Sequence, residues 1–197
     1  AKLIIGLIYK PDGNGAASAS RSHKHTTVKD KALDILKRHF GEMDFLSPEL
    51  DFNWTDYYYP ELGRPLKRLF ASFKQLTSED KLSGIKLYTN KLEKRFVRKY
   101  KRRINIDPGL LNLGKVVLAT TKDYNHRIYL GSGIFAEVTL FYKDGTYRPW
   151  PWAYPDYQSK EYIDIFNTIR KIYISAGTHN ESPISNGISR RLSAGKS

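Results

Sequence analysis

The run Lys2-Leu3-Ile4-Ile5-Gly6-Leu7-Ile8-Tyr9 decides the fold. Its apolar residues scarcely alternate with polar ones, which marks a strand buried on both faces. The run is also far short of the ~20 residues that a membrane span needs. It reads as the central strand of a sheet. Working outward, Thr27 and Asp30 make a capping-box pattern; Ala32, Leu33, Leu36 and Phe40 then recur at helical spacing until Gly41 supplies a stop. Met43 to Phe52 and Leu66 to Leu76 read as strands on either side of an aromatic turn, Trp54 to Pro60. Thr77 with Asp80 opens a second helix, ending near Tyr100, with Leu82, Ile85, Leu92, Phe96 and Tyr100 as its apolar stripe. Asp107-Pro108-Gly109 has the chemistry of a tight turn. Val116 to Thr120, Arg127 to Leu130 and Phe135 to Tyr142 follow as a β-meander, with turns at Gly131-Ser132-Gly133 and at Lys143-Asp144-Gly145-Thr146. Ser159 caps a last helix that carries Tyr162, Phe166, Ile169 and Tyr173 on one face.

The expected fold class is therefore α+β: a ferredoxin-like β-α-β-β-α-β start, an appended antiparallel β-meander and a C-terminal helix. Residues 1–174 form one α+β domain, in which residues 11–25, rich in Gly, Ser and Asn with His23 and His25, read as a mobile loop. Residues 175–197 read as a disordered basic tail.

Composition narrows the chemistry. A chain of 197 residues with 40% hydrophobic and 13% aromatic content, including 14 tyrosines, has the material for a packed core. The absence of cysteine removes disulfides, thiolate metal sites and cysteine nucleophiles. With no membrane-length apolar run and no signal-peptide pattern, the expected location is the cytoplasm, without a membrane partner. The formal net charge of +13 points to an anionic partner. The charge clusters, since seven of the ten residues from Lys94 to Arg103 are basic. On a helix ending near Tyr100, Lys91, Arg95, Arg98 and Arg102 fall on one face, a stripe suited to phosphates with RNA or a nucleotide as partner.

Polar motifs crowd between Thr55 and Tyr157. Lys86, Asn90 and Glu93 share a helix face at contact spacing. His126 follows Lys122 and Asp123 and precedes Arg127, so it reads as a general acid or base oriented by a carboxylate. On the strand Phe135 to Tyr142, Glu137 and Thr139 point away from Ala136, Val138 and Leu140, and Glu137 falls across from Arg127 or Tyr129. Carboxylates at Asp56, Asp107, Asp123, Glu137 and Asp156 have no spacing diagnostic of a metal, and no cofactor motif is present. Ala194-Gly195-Lys196-Ser197 copies the end of a phosphate-binding loop, but Arg190 stands where its first glycine is required. Trp150, Trp152, Tyr154 and Tyr157, with Arg148 nearby, could stack bases or sugars.

Taken in order, Lys2–Tyr9, Thr55-Asp56-Tyr57-Tyr58, Ile85-Lys86-Leu87 with Thr89-Asn90, Asn105-Ile106-Asp107-Pro108-Gly109, His126-Arg127-Ile128-Tyr129 and Tyr154-Pro155-Asp156-Tyr157 resemble the prokaryotic family filed as domain of unknown function 4416, over about residues 2–174. The resemblance implies no assigned activity, although some members carry the label GTP-binding. Three functions follow as expectations. The first is binding of a phosphate-rich ligand, RNA or nucleotide, through Lys91, Arg95, Arg98 and Arg102. The second is an enzyme using His126, Arg127, Asp107 and Glu137 on a phosphorylated or carboxylated small molecule, with Asp56, Tyr57, Lys86, Asn90, Lys122, Tyr154 and Asp156 holding the ligand. The third is a structural or assembly protein that docks by its basic face.

Overall fold

The computed structural model describes residues 1–12 and 26–178. The loop glycines and histidines Gly13, Gly15, His23 and His25, and the segment Ala194–Ser197, lie outside the described residues. The chain runs β1 (Lys2–Tyr9), α1 (Val28–Phe40), β2 (Met43–Leu46), β3 (Leu50–Asp51), α2 (Tyr59–Leu62), β4 (Lys67–Leu76), α3 (Leu82–Arg95), β5 (Ile104–Leu111), β6 (Lys115–Thr120), β7 (Ile128–Gly131), β8 (Ile134–Lys143), β9 (Thr146–Pro149) and α4 (Lys160–Thr178). It is a mixed α/β fold built on one large antiparallel sheet in the order β2-β4-β1-β5-β6-β8-β7, with β3 beside β4 and β9 beside β8. Among the described residues no helix is long and apolar enough to cross a membrane.

All eight residues of β1 are buried, as expected of a central strand. Its alternation divides the core in two. Leu3, Ile5, Leu7 and Tyr9 pack under α1 and α3 on one face, while Ile4 joins Phe70, Leu111, Val116 and Leu140 under Tyr162, Phe166 and Ile169 of α4 on the other. Helix α1 begins and ends as its local sequence dictates. The Thr27 Oγ1 accepts from the Asp30 amide, the Thr27 amide donates to Asp30, and Gly41, at φ 91°, donates to Lys37 O.

Several expectations are corrected. Asp107-Pro108-Gly109 is not a turn but lies inside β5, where the three residues oppose Gly6, Ile5 and Ile4 of β1. Strand pairing outweighs their turn chemistry because β1 offers a full antiparallel partner. The stretch 43–52 is two short strands, since Pro48 cannot donate to the ladder with β4. The three strands after residue 115 are not a meander: β6 pairs directly with β8, and β7 lies outside β8. The long 121–127 connection lets the chain pass over one strand position. A register shift opposite Val116 and Val117 makes Thr139 an extra residue, so Leu140 changes face and joins the side of Glu137. Helix α4 runs on to Thr178, four residues past the expected boundary.

Helix α3 ends at Arg95, five residues before Tyr100, after the tightened bonds from the Phe96 amide to Glu93 O and Lys94 O. Arg98 and Lys101 then exchange two main-chain hydrogen bonds of 3.0 and 3.1 Å across a two-residue turn, with Lys99 at φ 49° and Tyr100 at φ 61°. Lys91, Arg95, Arg98 and Arg102 therefore form no helical stripe. Tyr100, expected on the apolar face, is fully exposed at 102%.

Two substitutions test this account. Gly109→Ala should cost about 1–3 kcal/mol by denaturant titration, because a Cβ there would lie 2.6 Å from Val117 O of the next strand. Tyr100→Gly should raise stability by about 1 kcal/mol, since glycine adopts the left-handed conformation without a Cβ clash.

Candidate functional site

The pairing of β5 with β6 covers only Gly109–Leu111 against Val116–Leu118. Glycine at 109 lets β6 approach closely at that point. One residue earlier Pro108 has no amide hydrogen, and beyond it the strands part. The orphaned ladder groups of Ile106 are taken up by side chains of α3. The Ile106 amide donates to Glu93 Oε1 at 2.6 Å, and Lys86 Nζ donates to Ile106 O at 3.2 Å. Lys86 and Glu93 thus flank Ile106 instead of pairing with each other.

A cavity of about 360 Å³ occupies the gap, lined from β5 by Asn105 and Asp107, from β6 by Leu118, Ala119 and Thr120, and from α3 by Lys86, Asn90 and Glu93. Its volume falls in the range of small-molecule sites. Trp54, Tyr57 and Tyr154 line it while remaining 44%, 56% and 48% exposed, so they form its mouth. Arg68, Glu137, Asp156 and Tyr157 are buried in its wall.

Most of the charges lining the cavity are internally matched. Asp107 receives Lys86 Nζ at 3.1 Å and Asn105 Nδ2 at 2.6 Å. Glu93 receives Arg102 Nη1 at 2.9 Å, and Arg102 also binds Glu61. Glu137 receives Arg127 Nε at 2.9 Å and lies 3.1 Å from His126 Nε2, while Arg127 also donates to Lys122 O and to the Tyr154 hydroxyl. The register that sets Ile128 opposite Ala136 puts Arg127 opposite Glu137.

Arg68 differs. Its side chain is 2% exposed and lies over Gly6, where a Cβ would meet its Cζ at 3.2 Å. Its Nη2 donates to the Tyr157 hydroxyl at 2.8 Å and is 3.9 Å from Asp156, and its Nη1 is 3.6 Å from Asp107. Neither Nε nor Nη1 has a hydrogen-bond partner among the described residues. Burial works against the guanidinium charge, but Tyr157, Tyr162, Asp156 and Asp107 outweigh it, so the group stays cationic.

The carboxylates are driven apart. Burial pushes Asp107 up, but Lys86 and Arg68 prevail and hold it below the ordinary aspartate range. Burial raises Asp156, with Arg68 only partly opposing it, and burial likewise raises Glu93 against Lys86 and the Ile106 amide. A carboxylate held ionised beside one that protonates readily is the arrangement from which acid and base roles are built.

Of the residues expected to act, Asp107, Arg127, Glu137, Tyr57, Lys86, Asn90, Lys122, Tyr154 and Asp156 all line this cavity. His126 stands behind Glu137 rather than among the lining residues, stacked on Trp152 at 5.5 Å. Asp56 is directed elsewhere and pairs with Arg64 at 2.9 Å. Lys91, Arg95 and Arg98 are not among the lining residues, whereas Arg102 is one of them. Trp152 stacks on both Trp150 and His126, at 5.0 and 5.5 Å between ring centroids, and stays 41% exposed. The residues not anticipated are Arg68, Arg102 as a cavity residue, Asn105, Trp54 and Tyr58. For Arg68 two signals existed: an arginine amid the apolar residues of β4, and a glycine in the middle of a buried strand, which marks a close approach.

The chain belongs to the family described as domain of unknown function (DUF4416), which it matches over residues 17–173. The cavity residues from Phe52 to Tyr157 all fall inside that match, whereas β1 precedes it. No curated protein and no solved structure matches the chain.

Asp156 carries the next prediction. Its folded-state pKa is raised, so its contribution to stability is present below the ordinary aspartate value near 4 and is lost as pH rises through the folded value. Asp156→Asn should therefore melt higher than the wild type at neutral pH. The gap should close as pH falls toward about 4, as read by thermal melts across that interval.

Proposed function

We propose that the protein binds a small organic anion, a phosphate or carboxylate ester-sized molecule with an apolar or ring-bearing part, in the cavity where β5 and β6 part. The observation that carries this reading is Arg68: a buried, charged guanidinium in the cavity wall with two nitrogens that lack hydrogen-bond partners among the described residues. A buried donor left unmatched costs free energy, and an anionic oxygen would recover it. The charge count agrees. The lining holds five cations, Arg68, Lys86, Arg102, Lys122 and Arg127, against four acids, Glu93, Asp107, Glu137 and Asp156. Among the described residues the Lys122 ammonium at the rim meets only the ring of Tyr57, 3.9 Å away, which leaves its charge available to an anion. Trp54, Tyr57 and Tyr154 give the apolar part of a ligand a surface to cover.

The same geometry favours an enzyme over a passive carrier. Asp107 and Asp156 both lie within 4 Å of Arg68, the first held ionised by its cations and the second shifted toward protonation by burial, so the pair offers two carboxyl groups of unlike acidity to a bound ligand. We also read the first half of the sheet as ferredoxin-like, a reading supported by the antiparallel order β5-β1-β4-β2 with α1 and α3 on one face. That fold hosts too many functions to add to the argument from the site.

The test is a thermal-shift panel of inorganic phosphate, nucleoside phosphates, sugar phosphates and carboxylic acids. One class should raise Tm by roughly 5–10 °C at about a hundredfold excess over its dissociation constant. Arg68→Met should weaken that ligand about 10- to 100-fold, and the exposed Lys122→Ala, which keeps the core intact, about threefold. A panel without any shift, or a shift that both variants retain in full, would remove this reading.

A further inference from the structure

Apart from Glu93, which lines the cavity, the segment from Lys91 to Lys101 lies outside it and carries a second feature that the small-molecule reading does not use. We propose that this basic projection is a binding surface for single-stranded nucleic acid. Six of its eleven residues are Lys or Arg: Lys91, Lys94, Arg95, Arg98, Lys99 and Lys101. All six are exposed. None forms an ion pair among the described residues, although the adjoining Arg102 and Arg103 are both paired, with Glu61 and Glu93 and with Asp12. Arginine and lysine in this part of the chain are thus sorted. Those next to β5 hold the fold, and those on the end of α3 and the turn beyond it face solvent.

The tip of the projection is built, not frayed. Two main-chain hydrogen bonds between Arg98 and Lys101 fix it, and both central residues are left-handed although neither is glycine. Such turns favour Asn-Gly or Asp-Gly, whose small side chains tolerate that backbone. Here Lys99 and Tyr100 occupy the two positions. Tyr100 is fully exposed and makes no hydrogen bond or ring contact among the described residues. Folding does not account for a tyrosine placed at a costly backbone position with nothing to pack against. A base stacked on its ring, with phosphates on the flanking cations, does.

The shape selects among anionic polymers. A single projecting ring reaches an unpaired base but has no face to offer a stacked duplex. Besides Tyr100 the tip exposes only Val97 as a large apolar side chain, too little apolar area to anchor in a lipid surface.

The experiment is fluorescence anisotropy with a labelled single-stranded RNA of about 12 nucleotides, the same sequence as a duplex, and sedimentation with anionic phospholipid vesicles. The single strand should bind, with log K falling against log salt at a slope of about −4 if all six cations engage. Tyr100→Gly, which relieves the backbone, should lower affinity about 5- to 150-fold at unchanged slope, while Tyr100→Phe should retain it. Arg98→Ala with Lys101→Ala should flatten the slope by about 1.4. The proposal is overturned if no single strand binds at physiological salt, if Tyr100→Gly leaves affinity unchanged, if the duplex binds as tightly as the strand, or if only the vesicles bind. Because none of these substitutions touches the cavity, the ligand panel and the RNA titration succeed or fail independently.

Discussion

A missing hydrogen organises the site. Pro108 has no amide proton, so the ladder between β5 and β6 cannot continue past Gly109, and the two strands separate while still belonging to one sheet. Buried main-chain groups do not stay unpaired. Glu93 and Lys86 of α3 therefore reach into the plane of the sheet and take the amide and carbonyl of Ile106. This substitution fastens α3 to β5 with charged side chains, and it puts an acid and a base at the opening that the strands leave. The Asp-Pro-Gly sequence is a compact instruction: glycine lets the strands touch, proline makes them stop, and aspartate faces the space that results.

The chain uses its charge in two ways. Around the cavity, cations and carboxylates are matched almost one to one, and Asp107, Glu93 and Glu137 are each held by at least two donors. Removing one member of such a set leaves its partner buried and alone, which costs far more than a surface pair contributes. The excess that makes the net charge +13 lies elsewhere, in part on the exposed end of α3 and the turn beyond it. Net charge by itself could not distinguish these uses.

What was legible in the sequence was local. The capping box of Thr27 and Asp30, the stop at Gly41, the Asp144-Gly145 turn and the two-faced burial of β1 each depend on neighbours within a few residues, and each has the expected form. The misreadings share one cause, a distant partner. Asp107-Pro108-Gly109 reads as a turn until β1 lies beside it, and the position of β7 outside β8 depends on a chain passage that no periodicity records. The expected stripe of Lys91, Arg95, Arg98 and Arg102 assumed that the helix outlasted its hydrogen bonds. Most of the polar residues singled out between Thr55 and Tyr157 do meet at one cavity. They meet because strand ends and turns of an antiparallel sheet return to the same end of the molecule. The arginine at their centre escaped notice because β4 reads as a core strand in which a charge seemed incidental.

The three tryptophans of the chain are unevenly distributed. Trp54 stands at the cavity mouth, and Trp150 and Trp152 are stacked 5.0 Å apart, with Trp152 resting on the histidine that faces Glu137. The packed layers under α1 and α3 contain none. Tryptophan fluorescence of this protein, excited selectively over its 14 tyrosines, is consequently a local optical readout. Its intensity and wavelength follow events at the cavity and the His126 imidazole, and stay nearly blind to motion in the opposite layer.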